Sequence, residues 1–482
     1  MHWLAYYGFL YNLTQGRKCI IFSNARSEVE RNINRLKLLA EEKKEHDVFH
    51  VHHGSISTDS REYTEAQMKN SNLPLVTGAT VTLELGIDLG DLERIVQTGS
   101  PHSVSSLAQR LGRSGRRGGM SQMCFVFSEV ASAKATAFFK TINWQFIKCI
   151  ALIELYRENW IEPLRVEQYP YSVLFHQTMS VLYSNGDTVP AALAQKILTE
   201  HTFRNISQDD FRLLLQQMVE HKMVEKTREG KLTIGKRGEQ LTNHYEFFAV
   251  FETPIEYSVR EGTKEVGSLY ETLPIGERFL LSGKTWKVEE TDNDKKIIYV
   301  KFVGGQSAVS WISPAFGETH TKVLQKMREV IVSDTRYGYL SQTAEKRLAE
   351  IRKTIYQTGA FTTEHQTDIF KISPNRYGIV PWLGSRALNA LRYALSAKGI
   401  EVVDTDTDWI MLAAVVDSGA VLENVLREIK TSRIDVEDLQ LPEKLPVIGK
   451  YGGFIHPVLV KKQFIDKCID VAEMRRELAI KV

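Results

Sequence analysis

At 482 residues, with 43% hydrophobic and 25% charged side chains, the chain is too long for one domain and too apolar for a disordered one; three or four folded domains are expected. Its formal net charge of +2 means that any surface for nucleic acid must be a local patch rather than a bulk property. Cys19, Cys124, Cys149 and Cys468 are scattered and form no C-x-x-C pair, which argues against a zinc site or a disulfide framework and fits a reduced, cytoplasmic compartment. Met1 to Leu13 is aromatic and apolar but lacks the basic start of a secretory leader. The apolar stretch Ile142 to Tyr156 is interrupted by Lys148 and Glu154, so no membrane partner is expected.

The first 16 residues read as a helix. Lys18 to Ser23 (KCIIFS) is a short apolar strand, and Ser27 to Glu42 places Val29, Ile33, Leu36, Leu39 and Ala40 at helical spacing. Val48 to Val51 is a strand, and Thr58 to Lys69 a helix capped by Ser57 or Thr58. Leu73 to Val76, Arg94 to Thr98 and Met123 to Phe127 complete the strands. Strands alternating with helices predict a parallel sheet with crossover helices. Ligands of such sheets bind at the carboxyl ends of the strands. Between the last two strands lies SSLAQRLGRSGRRGG, with Arg110, Arg113, Arg116 and Arg117 and no acid. Such a run is either a solvated basic loop or a surface that faces anions. If it is helical, Arg113 and Arg116 point the same way, and two guanidinium forks suit a phosphate whose charge grows during transfer.

Ala131 to Tyr156 is strongly helical. Val173 to Tyr183, Val189 to Glu200 and Asp209 to Glu220 are three further helices, the last with Phe211, Leu214, Leu215 and Met218 as its apolar stripe. A hairpin turning at Glu229-Gly230 follows, so this stretch reads as a winged helix. Its wing carries Lys226, Arg228, Lys231, Lys236 and Arg237, either as phosphate contacts or as a soluble edge. Residues 245 to 316 alternate like strands, with turns at Ser282-Gly283 and Asn293-Asp294, and predict a small barrel or curled sheet. Val323 to Val332 and Ser341 to Ile355 are helices. Ile379 to Gly399 is a strand end, turn and helix, Glu401 to Asp404 and Trp409 to Ala414 are strands, Leu422 to Ile429 is a helix, and Pro457 to Leu478 is one last helix. This final region carries no chemical motif.

Four segments in order carry a family resemblance. CIIFSNAR (Cys19 to Arg26), HHGSIS (His52 to Ser57) with Arg61, ATVTLELGID (Ala79 to Asp88) and Gln109, Gly112, Arg113, Gly115 and Arg116 resemble motif IV, the HHGS segment, motif V and motif VI of superfamily 2 helicases. Three later segments resemble the Lhr (large helicase-related) group: F-x-T-P at Phe251 to Pro254, V-G-S-L at Val266 to Leu269, and FLLSGKTW at Phe279 to Trp286. The chain departs from that group at Arg116, where His is common there, and around Trp311, where SAVSWISP matches poorly.

The resemblance implies a multidomain α/β architecture. A second RecA-like helicase domain would occupy 1–130, a helical linker 131–170, the winged helix 171–245, a β-barrel-like domain 246–320 and a mixed α+β domain 321–482. It implies Arg113 and Arg116 as arginine fingers and Gln109 as a reporter of nucleotide state. Gly86 and Asp88 would lie at the nucleotide. Asn24, Arg26, His53, Gly54, Thr80 and Thr82 would line a nucleic-acid track, joined by Lys231 of the wing and by Trp311 as a stacking platform; a buried barrel tryptophan is the plain alternative for both Trp286 and Trp311. His52 and His53 are not expected to form a metal pair, because neighbours on an extended segment point to opposite faces. Neither a G-x-x-x-x-G-K-[ST] loop nor a D-E-x-[DH] box occurs. The chain is therefore expected to be the C-terminal half of an ATP-dependent helicase or translocase that moves 3′ to 5′ on single-stranded DNA. Its partners would be single-stranded DNA or a DNA/RNA hybrid and an N-terminal RecA-like domain that shares ATP and Mg2+ with it. The chain alone would be inactive. The alternative is a nucleic-acid-binding module or regulatory fragment that never completes an ATPase.

Overall fold

The computed structural model describes residues 2–52, 58–70, 73–84, 89–90, 92–115, 120–129, 139, 142–251, 257–262, 264–269, 272–281, 284–293, 295–303, 318–358, 361, 368–403 and 410–478. The chain divides into two compact units. One combines Met1–Pro163 with Ala315–His365, and the other combines Leu164–Pro314 with Gln366–Val482.

The first unit is built on a parallel sheet of five strands: β1 (Lys18–Phe22), β2 (Phe49–His52), β3 (Leu75–Ala79), β4 (Arg94–Thr98) and β5 (Met123–Val126), in the order β2-β3-β1-β4-β5. Each strand pair is parallel and in simple register, as with Cys19 beside Val76 and Arg94. The apolar runs are continuous because both faces are covered. Cys19 and Ile21 of β1 pack with α1 (His2–Thr14) and α2 (Arg26–Glu42), while Ile20 and Phe22 join Met68 of α3 (Thr58–Asn70) and Leu83 on the other face. Helix α4 (Val104–Leu111) follows β4, with Ser103 as its cap accepting from the Ser106 amide at 3.0 Å. Helix α5 (Trp144–Arg157) is capped by Asn143. The helix Thr321–Val332 packs against α5 and buries Val323, Leu324, Met327, Val330 and Ile331. Helix Gln342–Thr358 is tied to it by Arg352, whose Nε and Nη2 donate to the Val330 carbonyl at 3.0 and 2.7 Å. The stretch 321–482 thus divides between the two units.

In the second unit, helices Tyr171–Asn185, Pro190–Leu198 and Gln208–Glu220 enclose a core of Leu174, Phe175, Met179, Phe211, Leu214 and Met218. Strands β6 (Val224–Lys226) and β7 (Leu232–Ile234) form the antiparallel wing, and Thr188 makes a single antiparallel bridge to Leu232. The turn is made by Gly230 at φ +81, a left-handed conformation that glycine adopts at little cost. The three helices and this hairpin are a winged helix. Lys236 and Arg237, expected on the wing, instead open a short helix, Lys236–Thr242. That helix starts where the hairpin ends because Gly238 lets its backbone lie against the Met223 carbonyl.

Strands β8 (Tyr257–Glu261), β9 (Lys264–Leu269), β10 (Arg278–Leu281), β11 (Lys284–Asp292) and β12 (Ile297–Phe302) form a second sheet in the order β10-β11-β12-β8-β9. Among the described residues no pairing joins its two edge strands, β10 and β9. Trp286 is 4% exposed, packed with Val259, Val288, Ile298 and Val300; it is a core residue. A third, antiparallel sheet joins Asp368–Ser373, Arg376–Val380, Leu412–Val415 and Glu401–Val403, with helix Ser385–Ala397 over it. The single last helix expected from periodicity is broken into Pro457–Cys468 and Val471–Leu478. Asp470 makes the break: its Oδ1 accepts the Glu473 amide at 2.8 Å, and its Oδ2 accepts from Arg386 at 3.1 Å. Side-chain capping of this kind competes with helix continuation.

Candidate nucleotide and nucleic-acid site

The carboxyl ends of β1, β2, β3 and β4 bring the motif segments together. After β3, Thr80 leads a single 3₁₀ turn, Val81–Leu83, that delivers Glu84 to helix α4. Glu84 is the hub of the seam. Its Oε1 accepts from Ser106 Oγ at 2.9 Å and from Arg110 Nε at 2.7 Å, and its main-chain carbonyl accepts from Arg113 Nε and Nη2 at 2.9 and 2.5 Å. Motifs V and VI are therefore one hydrogen-bonded body. Glu84 was not singled out from the sequence; the signal for it was an acid in the motif V segment to set against an acid-free arginine run.

Arg110 does not face an anion in solution. It is fully buried, stacked over the Phe22 ring with its guanidinium 4.9 Å from the ring centroid, and it also donates to Gln97. Burial pulls its pKa down and the Glu84 carboxylate resists that pull. Its place could have been read from spacing: Val104, Leu107 and Arg110 share one face of α4, and all three are buried.

Gln109 is half-buried on α4. The helical-face argument for Arg113 and Arg116 does not hold, because α4 ends at Leu111 with Gly112 as its C-cap. Arg113 lies in the turn beyond, its amide donating to the Arg110 carbonyl at 3.0 Å, and it is 6% exposed. Arg116, Gly86, Asp88, His53, Gly54 and Trp311 lie outside the described residues, as does the side chain of Arg26.

Asn24, at the end of β1, donates from Nδ2 to the Ser100 carbonyl at 2.8 Å and so joins the loops that follow β1 and β4. Beneath it Ser23 and Thr98 share a buried hydroxyl contact of 2.8 Å. The Glu28 carboxyl is raised in pKa by burial, with the Thr98 hydroxyl, the Asn24 backbone and Arg31 opposing. Thr80 is buried, while Thr82 is half-buried and engaged: its Oγ1 lies 3.0 Å from His52 Nδ1, and His52 Nε2 lies 2.8 Å from Glu65 Oε1. His52 thus links three segments. Among the described residues no group of three His, Cys, Asp or Glu is placed to hold a metal ion.

At the front of α4, Glu162 accepts the amides of Val104 and Ser105 on its two oxygens, at 2.8 and 3.0 Å. Lys148 of α5 is nearby and 7% exposed, donating to Thr319 Oγ1 at 3.4 Å. Burial lowers its pKa to about 8, with the Glu162 carboxylate opposing. His102 is lowered as well, by burial first, then by Lys148 and Arg110. Glu162 too was missed in the sequence, since it lies 58 residues from Val104 in a stretch read as linker.

In the second unit Lys226, Arg228 and Lys231 stand exposed around the wing tip, and Lys236 and Arg237 are exposed at its base. Lys231 is held by main-chain bonds, its carbonyl accepting from Thr227 at 2.8 Å.

Residues 4–118 match the model of the helicase conserved C-terminal domain. The ATP-dependent helicase Lhr-Core of Saccharolobus solfataricus is 26% identical over 463 residues, which is 88% of this chain and 50% of that protein. The Lhr-Core protein of Methanocaldococcus jannaschii is 39% identical over 113 residues, 22% of this chain and 13% of its own length. The solved structure of Mycobacterium smegmatis helicase Lhr bound to ssDNA and AMP-PNP shares the fold at a TM-score of 0.61 and 17% identity, covering 99% of this chain and 65% of that one. The chain spans about half the length of the first of these relatives. Among the described residues no helix is long and apolar enough to cross a membrane. With its parallel sheet, its fused motifs V and VI and its winged helix, the chain resembles the C-terminal part of a superfamily 2 helicase of the Lhr-like group, and residues 4–118 are its helicase C-terminal domain.

Proposed function

We propose that this chain supplies the arginine-bearing half of an ATP site and much of the strand track of a helicase or translocase acting on single-stranded DNA. The observation that carries the proposal is the seam at Glu84, which fixes the motif VI helix to the segment expected to touch the strand. A phosphate change sensed by Arg113 reaches the turn after β3, because Arg113 bonds the carbonyl of Glu84 at the end of the 3₁₀ turn that Thr80 leads.

ATP binds between this domain and a further RecA-like domain that carries the phosphate loop. Arg113 and Arg116 meet the γ-phosphate there, with Gln109 beside them and Gly86 and Asp88 at the nucleotide. Arg113 now donates to a neutral carbonyl. A phosphate oxygen is a charged and stronger acceptor, so an arriving nucleotide draws the guanidinium away from Glu84. Arginines in this role contribute about 10³-fold or more to phosphoryl transfer. Mg2+ would be held by the nucleotide and by carboxylates of the other domain. Asn24, Arg26, His53, Gly54, Thr80 and Thr82 hold the strand backbone, the wing adds Lys231, and Trp311 stacks on a base. Movement is 3′ to 5′, on single-stranded DNA or on one strand of a DNA/RNA hybrid.

The test is anisotropy of a labelled single strand across a salt series. Binding should fall steeply with salt. Lys231→Glu should reduce the slope by about one, and Trp311→Ala should weaken binding by about 1–3 kcal/mol. The chain alone should not turn over ATP. Salt-independent binding, an inert Trp311→Ala or robust ATP turnover by the chain alone would each overturn the corresponding part.

A further inference from the structure

We propose that Glu162 is a positioning residue that couples the motif VI helix to the winged-helix unit through a short strap. The inference rests on the reading of that unit as a DNA-binding element. Glu162 places both carboxylate oxygens on the first turn of α4, on the amides of Val104 and Ser105 at 2.8 and 3.0 Å. A carboxylate there completes two of the orphan donors and faces the positive end of the helix. Helix α4 carries Gln109 and leads directly into Arg113. A change in its tilt therefore moves both residues.

The chain leaves the first unit one residue after Glu162, at Pro163. It is caught again almost at once. Arg165 Nη1 donates to the Lys467 carbonyl at 3.0 Å, Arg165 Nη2 bonds Asp466, and the Gln168 amide donates to Asp466 Oδ2 at 2.9 Å. Residues 466 and 467 sit on the helix Pro457–Cys468, whose Leu459 is part of the winged-helix core. Glu162 and Arg165 are three Cα steps apart, which spans at most about 11 Å even when fully extended. Leu164 between them is 93% exposed and carries no regular structure. Of the three places where the chain passes between the units, this is the one whose residues are all described. When the winged helix shifts on a strand, so short a strap passes the shift on as a pull on Glu162 at the front of α4.

The measurement is hydrogen exchange at the Val104 and Ser105 amides, with and without a (dT)20 oligonucleotide, alongside anisotropy on the same samples. Without DNA, Glu162→Ala should speed exchange at these two amides about fivefold, the loss expected for a helix cap, and Glu162→Gln should recover part of it. With DNA bound, the unaltered chain should show a comparable acceleration. A variant with three Gly/Ser residues inserted after Pro163 should bind DNA as well and show none. That last contrast separates a coupling strap from a purely structural cap. Bound DNA with no change in exchange, or the same change in the lengthened strap, overturns the coupling. If no DNA binds, the DNA-binding reading fails on its own, and the coupling that rests on it fails too. Unchanged exchange in Glu162→Ala without DNA overturns the clamp itself.

Discussion

Replacing Lys148 with methionine should stabilise the first unit, and the gain should fade as the pH rises. Lys148 is buried on α5, its ammonium 3.4 Å from the Thr319 hydroxyl, and its pKa is pulled down to about 8 from the ordinary 10.5 by burial, with the Glu162 carboxylate opposing. At about 1.4 kcal/mol for each tenfold change in proton affinity, the charged form costs the folded state about 3 kcal/mol near neutral pH. Methionine matches the length of the stem and carries no charge. Lys148→Met should therefore raise unfolding free energy by about 2–3 kcal/mol at pH 7, read from urea midpoints. Between pH 8 and 10.5 the unfolded chain holds the Lys148 proton more tightly than the folded one. The stability of the unaltered protein thus climbs with pH in that window, the variant lacks that climb, and the gap closes. A variant less stable than the parent, or a gap unchanged from pH 6.5 to 9.5, would refute the reasoning.

Arg110→Ala should cost about 3–5 kcal/mol, because it leaves the Glu84 carboxylate without its buried partner; a loss below about 1 kcal/mol in thermal or urea unfolding would show that the pair is not integral. Gly238→Ala should destabilise the winged helix by about 1–3 kcal/mol or more, since a Cβ there would meet the Met223 carbonyl oxygen at 2.1 Å. Calorimetry should show the second unit melting earlier while the first is unchanged, and an unshifted transition would mean that the short helix can slide aside.

Strand runs such as Lys18–Phe22 were legible because burial on both faces leaves an unbroken apolar string. The motif segments were legible as neighbours because a parallel sheet collects its loops at one edge. Three features were not legible, each for a physical reason. Arg110 looked like part of a surface charge run, since four arginines in eight residues mask the one that shares a face with Val104 and Leu107. The break at Asp470 was hidden because the apolar period runs across it, and only its bond to Arg386, eighty-four residues away, shows that the side chain is otherwise employed. The return of Thr321–Val332 to pack on α5 left no local trace, because amphipathic periodicity reports that a face is buried and not what covers it.

That return sets an order on how the protein is made. Domains tend to fold as units while the chain emerges, but the first unit here is written in two pieces, with about 150 residues of the second between them. The side of α5 that packs on Thr321–Val332 lacks this cover when its own sheet is finished. It must wait until the winged helix and the strands that follow have been synthesised. A stop placed after the second sheet would strand an apolar helix face in water, and the fragment would be prone to aggregate even though its parallel sheet is whole. A cut intended to isolate the first unit therefore needs the helices 321–358 supplied as well, either joined by a short linker after residue 163 or co-expressed.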